Sequence, residues 1–125
     1  MKPIKKFFKH IFGTAILEFA FVFPVFLLFI FGIFEFGFIM WYDSSMNYAA
    51  TSGSRYAFVY PTAAPSTIEN YAMSKISVPP NTIVLKVTKG TDTVDIDGTL
   101  TYTFIILPFS PLTITTHIHQ ITPVI

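Results

Sequence analysis

Two carboxylates, two histidines and one glycine–threonine step are the residues whose type and setting could carry chemistry in this chain. Glu18 and Glu35 interrupt an otherwise apolar run from Thr14 to Tyr42, with Pro24 as its other irregularity. A charged side chain at a bilayer centre costs about 2.5–3.5 kcal/mol on insertion scales, so acids in such a run are functional candidates by default. His117 and His119 stand two apart and share one face of any strand that carries them. Such a pair can ligate zinc. Cysteine is absent, and Asp92, Asp95 and Asp97 are the only further ligand candidates nearby. The pair therefore reads first as a solvent-facing strand surface. Asp95 and Asp97 read the same way, and calcium would need more oxygen ligands than the local sequence offers. Arg55 reads as a surface charge on a helix. No P-loop, dinucleotide fingerprint or nucleophile elbow occurs. The expectation is a protein that is not an enzyme and uses no metal or cofactor.

The elements that must position these residues follow from composition and charge. Of 125 residues, 52% are hydrophobic and only 12% charged, and the mean hydropathy is +0.59. A soluble domain carries about a quarter charged residues, so this balance points to a membrane segment with a modest head. Intrinsic disorder is excluded by the same numbers. Lys2, Lys5, Lys6 and Lys9 crowd the first nine positions; from residue 10 onward four basic residues face seven acidic ones, a formal charge of −3. A basic start followed by an apolar run predicts an N-terminus in the cytoplasm and an exported C-terminal part. A nucleic-acid partner is not expected from a lysine patch that lacks arginine and a binding motif. Residues 14–42 would form about 43 Å of helix, against the roughly 30 Å of a hydrocarbon core. The run is too long for a signal-peptide core and lacks a small-residue cleavage site at its far end. Trp41 and Tyr42 suit the outer interface.

Residues 43–125 then make up the head. Met46, Ala49, Ala50, Gly53 and Ala57 recur at spacings of three and four, which continues the first helix to about Phe58. The small residues among them would let another backbone approach closely. Tyr60-Pro61 and Ala64-Pro65 end that helix. Ser66-Thr67-Ile68-Glu69 resembles a capping box with Ser66 as N-cap, predicting a short helix to about Ser77 that presents Ile68, Ala72 and Ile76. Pro79-Pro80 would stop it. Ile83, Leu85 and Val87 alternate with Val84 and Lys86, and Gly90 lies in a turn. Val94, Ile96, Gly98, Leu100, Tyr102, Phe104 and Ile106 then occupy successive even positions, a strand with one buried face. Gly98 predicts a bulge or a close approach of the helix. After the connection from Leu107-Pro108 to Pro111, Leu112, Ile114, Thr116 and Ile118 begin a third alternating run. The fold class is α+β: a long N-terminal transmembrane helix extending into a small exported head, with a short helix and a three-stranded antiparallel sheet against the exported helix.

The most specific motif is Gly13-Thr14-Ala15-Ile16-Leu17-Glu18-Phe19, at the junction of the basic segment and the apolar helix. It resembles the processing site of type IV prepilins, in which a membrane peptidase cuts after the glycine. The longer pattern runs from Gly13 through Glu18-Phe19-Ala20-Phe21-Val22-Phe23-Pro24 to Gly32-Ile33-Phe34-Glu35-Phe36-Gly37, with Ala49-Ala50 and Gly53-Ser54-Arg55 beyond it. It looks like the TadE-like pseudopilins (minor pilins) of tight-adherence, or Flp, pilus systems. Over residues 93–125 the likeness is one of strands and a closing Thr122-Pro123-Val124 only. The leader departs from many relatives, because Ile11-Phe12 rather than a basic residue precede the glycine.

The resemblance implies a leader of residues 1–13 removed after Gly13 and a mature chain beginning at Thr14. It implies partners: the prepilin peptidase, other pseudopilins and the Flp pilin, the inner-membrane pilus platform, and membrane lipid. It implies a bacterial inner-membrane protein with a periplasmic head, extracellular if built into a pilus. Glu18, Phe19, Pro24 and Glu35 form the candidate assembly set. A cut after Gly13 would give Thr14 a charged α-amine four residues from Glu18. Glu18 would pair with that amine or with a neighbouring chain's, fixing the stagger between subunits; alternatively it reaches the cytoplasmic headgroups. Pro24 either kinks the helix harmlessly or serves packing and extraction. Glu35, about 31 Å beyond Thr14 along the helix, reads as an interfacial carboxylate, with a partner contact as the alternative. Gly32 and Gly37 are five apart and do not make a GxxxG pair. A rival reading is an uncleaved, membrane-anchored domain binding a ligand or metal through His117 and His119.

Overall fold

The computed structural model describes residues 3–79 and 82–121, with side chains from residue 13 onward. The leader's lysine side chains, Pro80 of the Pro79-Pro80 stop and the closing Thr122-Pro123-Val124 lie outside the described residues.

Helix α1 spans Pro3–Val59 and continues through Pro24. From Gly13 to Phe34 its residues are exposed or at most half-buried; Phe19, Phe21, Phe29 and Ile33 are all more than 60% exposed. Such an apolar surface is stable only in lipid or against a partner. Among the described residues one helix, from Gly13 to Val59, is long and apolar enough to cross a membrane. It lies near the N-terminus and suggests a single-pass anchor. Burial begins at Glu35 and continues at Ser45, Met46, Ala49, Ala50, Gly53, Ser54 and Ala57. That is the three-and-four spacing of one helical face, and it ends at Val59, as the pattern predicts.

Helix α2, Pro65–Met73, lies across this face and buries Ile68 and Ala72. The predicted capping box is not formed. Ala64 is the N-cap, with no side-chain cap bond and Pro65 in the first turn. Proline at the first helical position needs no N–H partner and arrives with a helical φ, so it starts the helix earlier than Ser66 could. The helix also stops at Met73 rather than Ser77. Its last turn tightens, with Lys75 N–H donating to Ala72 O (3.0 Å) and Ile76 N–H to Met73 O (3.1 Å). Ile76 still packs against the core.

Three strands, β1 (Ile83–Lys89), β2 (Thr93–Tyr102) and β3 (Leu112–Ile121), form an antiparallel sheet in the order β1-β2-β3. Registers run from Ile83 opposite Leu100 to Lys89 opposite Val94, and from Thr93 opposite Ile121 to Tyr102 opposite Leu112. Ile83, Leu85, Val87, Val94, Ile96, Leu100 and Tyr102 are buried on the face toward α1. The period-two pattern of β2 reaches Ile106, but the strand ends at Tyr102. Phe104 and Ile106 belong to the β2–β3 connection, whose backbone bonds elsewhere.

Two glycines explain how closely the layers meet. A Cβ on Gly98 would lie 2.7 Å from Thr116 Cγ2 and 3.0 Å from Met46 Sδ, so Gly98 marks the approach of α1 to the sheet, without a break in register. A Cβ on Gly53 would lie 2.9 Å from Ala72 Cβ and 3.1 Å from Ile96 Cδ1, where α1 crosses α2 over β2. The small-residue face of α1 thus meets its own head.

Candidate functional site

Gly13, Thr14 and Glu18 lie on the continuous turns that open the exposed part of α1. Thr14 and Glu18 are four residues apart, neighbours on one helical face separated by about 6 Å of rise. An amine created at Thr14 would sit one turn from the Glu18 carboxylate. Glu18, Phe19 and Pro24 are exposed on the apolar span, Phe19 with its ring 5.2 Å from that of Phe23. They stand on the part of the helix that the head leaves uncovered.

Glu35 is built differently. It is 2% exposed, and its carboxylate accepts from three donors of the head. Tyr102 Oη–H donates to Oε2 at 2.5 Å, and the N–H groups of Ile105 and Ile106 donate to Oε1 at 2.8 and 2.6 Å. Glu35, expected near the outer interface, thus clasps α1 to the β2–β3 connection of its own chain. The physical reason is the neighbouring backbone. Pro108 and Pro111 keep the segment after Tyr102 out of the sheet, so its N–H groups need another acceptor. Burial together with Glu35 pushes the Tyr102 hydroxyl far above the usual tyrosine range. The ring of Tyr102 also packs 5.6 Å from Tyr42 and 5.5 Å edge-on to Phe104.

Tyr102, Ile105 and Ile106 as partners of Glu35 were not legible in the sequence. A signal did exist: a tyrosine on the buried face at the end of a strand needs a partner for its hydroxyl. A second link missed in the same way joins α1 to β3. Thr116 Oγ1–H donates to Asn47 Oδ1 at 2.8 Å, while Asn47 Nδ2 donates to Asp43 O and Oδ2 at 3.0 and 3.2 Å. Lys89 Nζ donates to the carbonyls of Pro61 and Ala63, tying the α1–α2 turn to the end of β1.

His117 and His119 share the outer face of β3, as their spacing requires. Each sits across from an aspartate of β2: His117 Nδ1 lies 2.6 Å from Asp97 Oδ1, and His119 Nδ1 lies 2.5 Å from Asp95 Oδ1. The hydrogen bond from the Asp97 carboxylate holds the His117 imidazole above its usual pKa, against the opposing effect of desolvation. Among the described residues no group of three or more histidines and acids is arranged to hold a metal ion. These are cross-strand pairs on an open sheet face. Arg55 is exposed on α1.

Residues 13–55 match the family model described as TadE-like protein. The likeness to that family is one of this segment, 43 of the 125 residues. The match begins at Gly13 and takes in Glu18, Pro24, Glu35 and the small-residue face up to Gly53, so the family suspected from the motif is the family found. It points to association with the Tad pilus machinery. No curated protein and no solved structure matches the chain. The head beyond residue 55 therefore stands on its own geometry.

Proposed function

We propose that the chain is a TadE-like pseudopilin, a minor pilin that supports assembly of a tight-adherence pilus or a related secretion machine. A prepilin peptidase cuts it after Gly13, and the mature chain begins at Thr14. The protein remains in the bacterial inner membrane with its head in the periplasm. It works by binding rather than by catalysis, through helix packing with other pseudopilins, the Flp pilin and the inner-membrane platform.

The observation that carries this reading is the coincidence at residue 13. The family match starts there, at the glycine–threonine step, with Glu18 one turn further on. The head has already used its small-residue face and Glu35 internally, so what it leaves for partners is the span containing Glu18, Phe19 and Pro24. A Glu18 carboxylate in lipid is costly without a positive partner, and an α-amine at Thr14, in its own chain or a neighbour's, supplies one. The test is a chromosomal Gly13→Ala variant. It should accumulate in the unprocessed form and fail to support pilus assembly, whereas His117→Ala/His119→Ala should assemble normally. Pilus assembly retained with Gly13→Ala would refute the proposal.

A further inference from the structure

The connection from Thr103 to Pro111 carries no charged residue, and its backbone is bonded to Glu35 of α1. Ile105, Ile106 and Phe109 are 71%, 45% and 60% exposed. Exposed side chains of this size in a connecting loop are unusual in water. No charged residue occurs between Asp97 and His117, so the sheet is polarised along its length. Lys86, Lys89, Asp92, Asp95, Asp97, His117 and His119 all fall toward the end where Lys89 pairs with Val94 and Thr93 with Ile121. The opposite end, where Tyr102 pairs with Leu112, carries none.

That uncharged end is the one clasped to Glu35. Glu35 lies six residues before Trp41, about 9 Å closer to the membrane interior along the helix. The alignment of helix and sheet is consistent throughout. Tyr102 meets Glu35, Gly98 meets Met46 and Ile96 lies beside Gly53. The steps from Glu35 to Met46, about 16 Å of helix, and from Tyr102 to Gly98, about 13 Å of strand, are similar in length. Residues 13–34 rise about 33 Å, enough to cross a hydrocarbon core of roughly 30 Å, so Glu35 stands at its outer boundary. The loop backbone is held at that level, where α1 also exposes Phe34, Phe36 and Phe38. Rings of Trp41, Tyr42, Tyr102, Phe104 and Phe109 follow one another at centroid separations of 5.4–5.6 Å, a run of aromatics from the helix into the loop. Tyrosine and tryptophan at such a level are characteristic of membrane interfaces.

We infer that the Thr103–Pro111 loop is a second membrane-contacting element, which inserts Ile105, Ile106 and Phe109 among the lipid acyl chains of the head-side leaflet and is seated there by Glu35. The occupant of this apolar surface is lipid because the loop is continuous with the surface of the membrane helix at the same level. Three donors satisfy the Glu35 carboxylate, which removes the penalty of placing it at that depth. The two contacts together fix how far the helix sinks and how the head stands on the bilayer, which a single helix does not determine. Nothing in this depends on processing at Gly13.

The absence of cysteine makes the test direct. Full-length protein carrying Phe109→Cys, Ile105→Cys or, at the distal turn, Asp92→Cys is labelled with an environment-sensitive fluorophore. It is then reconstituted in phosphatidylcholine–phosphatidylglycerol vesicles, with and without lipid spin-labelled near the headgroup end of its chain. Probes at 105 and 109 should emit to the blue of the probe at 92, lose fluorescence to the spin-labelled lipid and resist aqueous iodide, at all protein-to-lipid ratios. Glu35→Ala, with helix and sheet retained by circular dichroism, should lose that lipid quenching at 109. Iodide quenching at 109 equal to that at 92 would overturn the inference. So would protection that disappears when protein is diluted in lipid, which would mean a second copy covers the loop. Lipid quenching unchanged in Glu35→Ala would overturn the seating role of that residue.

Discussion

An acid in an apolar helix is stable when donors reach it, and the fate of the two glutamates in α1 turns on that difference. Glu35 has its donors within the chain; Glu18 stands on the exposed span one turn from Thr14. Substituting the two should therefore do different things. Tyr102→Phe removes the hydroxyl donor from Glu35 while keeping the ring, so thermal unfolding of the head in detergent should shift to lower temperature with processing unaffected. Glu18→Gln should leave the melting temperature of the head unchanged and impair assembly. A head equally destabilised by Glu18→Gln would contradict that division. His117 gives a third expectation at this scale. Its folded-state pKa is raised by Asp97, with Asp95 adding to the effect, and Lys86 lies opposite Asp97 on β1. A raised histidine pKa contributes stability that is fully present below the unfolded value, about 6.5. It is lost as pH rises through the folded value. The melting temperature of the head should thus fall slightly as pH rises from 6 to 8, and Asp97→Asn should flatten that dependence.

At the scale of elements, the three layers meet where side chains are missing. Gly53 faces Ala72 Cβ, which has no freedom to move aside, so Gly53→Ala should force α2 away from α1 and cost about 1–3 kcal/mol. At Gly98 the nearest atom is Thr116 Cγ2 at 2.7 Å, on a side chain bonded to Asn47, with the flexible end of Met46 next, so Gly98→Ala should also destabilise. Urea unfolding of the two variants measures both. These elements were largely legible in the sequence. Three-and-four spacing of Met46, Ala49, Ala50, Gly53 and Ala57 gave the extended helix, and alternation gave each strand to within a few residues. The misreadings share a cause. Ser66 as N-cap and β2 running to Ile106 both followed a local pattern through a point where proline or a distant acceptor takes over. Pro65 starts α2 earlier, and Glu35 draws Ile105 and Ile106 out of the strand. A bond spanning some seventy positions leaves no periodic trace.

At the scale of the whole molecule, the chain divides by what faces outward. The span from Gly13 to Phe34 is apolar and uncovered, the head buries its own small-residue face, and the charged end of the sheet points away from the clasp. The Gly13-Thr14 step stood out because its motif is contiguous, and the family match begins at that same residue. Glu35 stood out as an acid in an apolar run, but its bonds to the head did not, since they required knowing which loop folds back on it. A pseudopilin built this way would present a rigid head at a fixed height and a free helix for neighbours to pack against.

The most direct test of this account is the intact mass and N-terminal sequence of the protein purified from native membranes. The account predicts a mature chain that begins at Thr14 and retains the whole span through Val59. A chain that still begins at Met1 would contradict processing and leave a plain membrane anchor. A product beginning near residue 42 would show that the apolar run is a removed signal peptide, and both the assembly helix and the Glu35 clasp would fall with it.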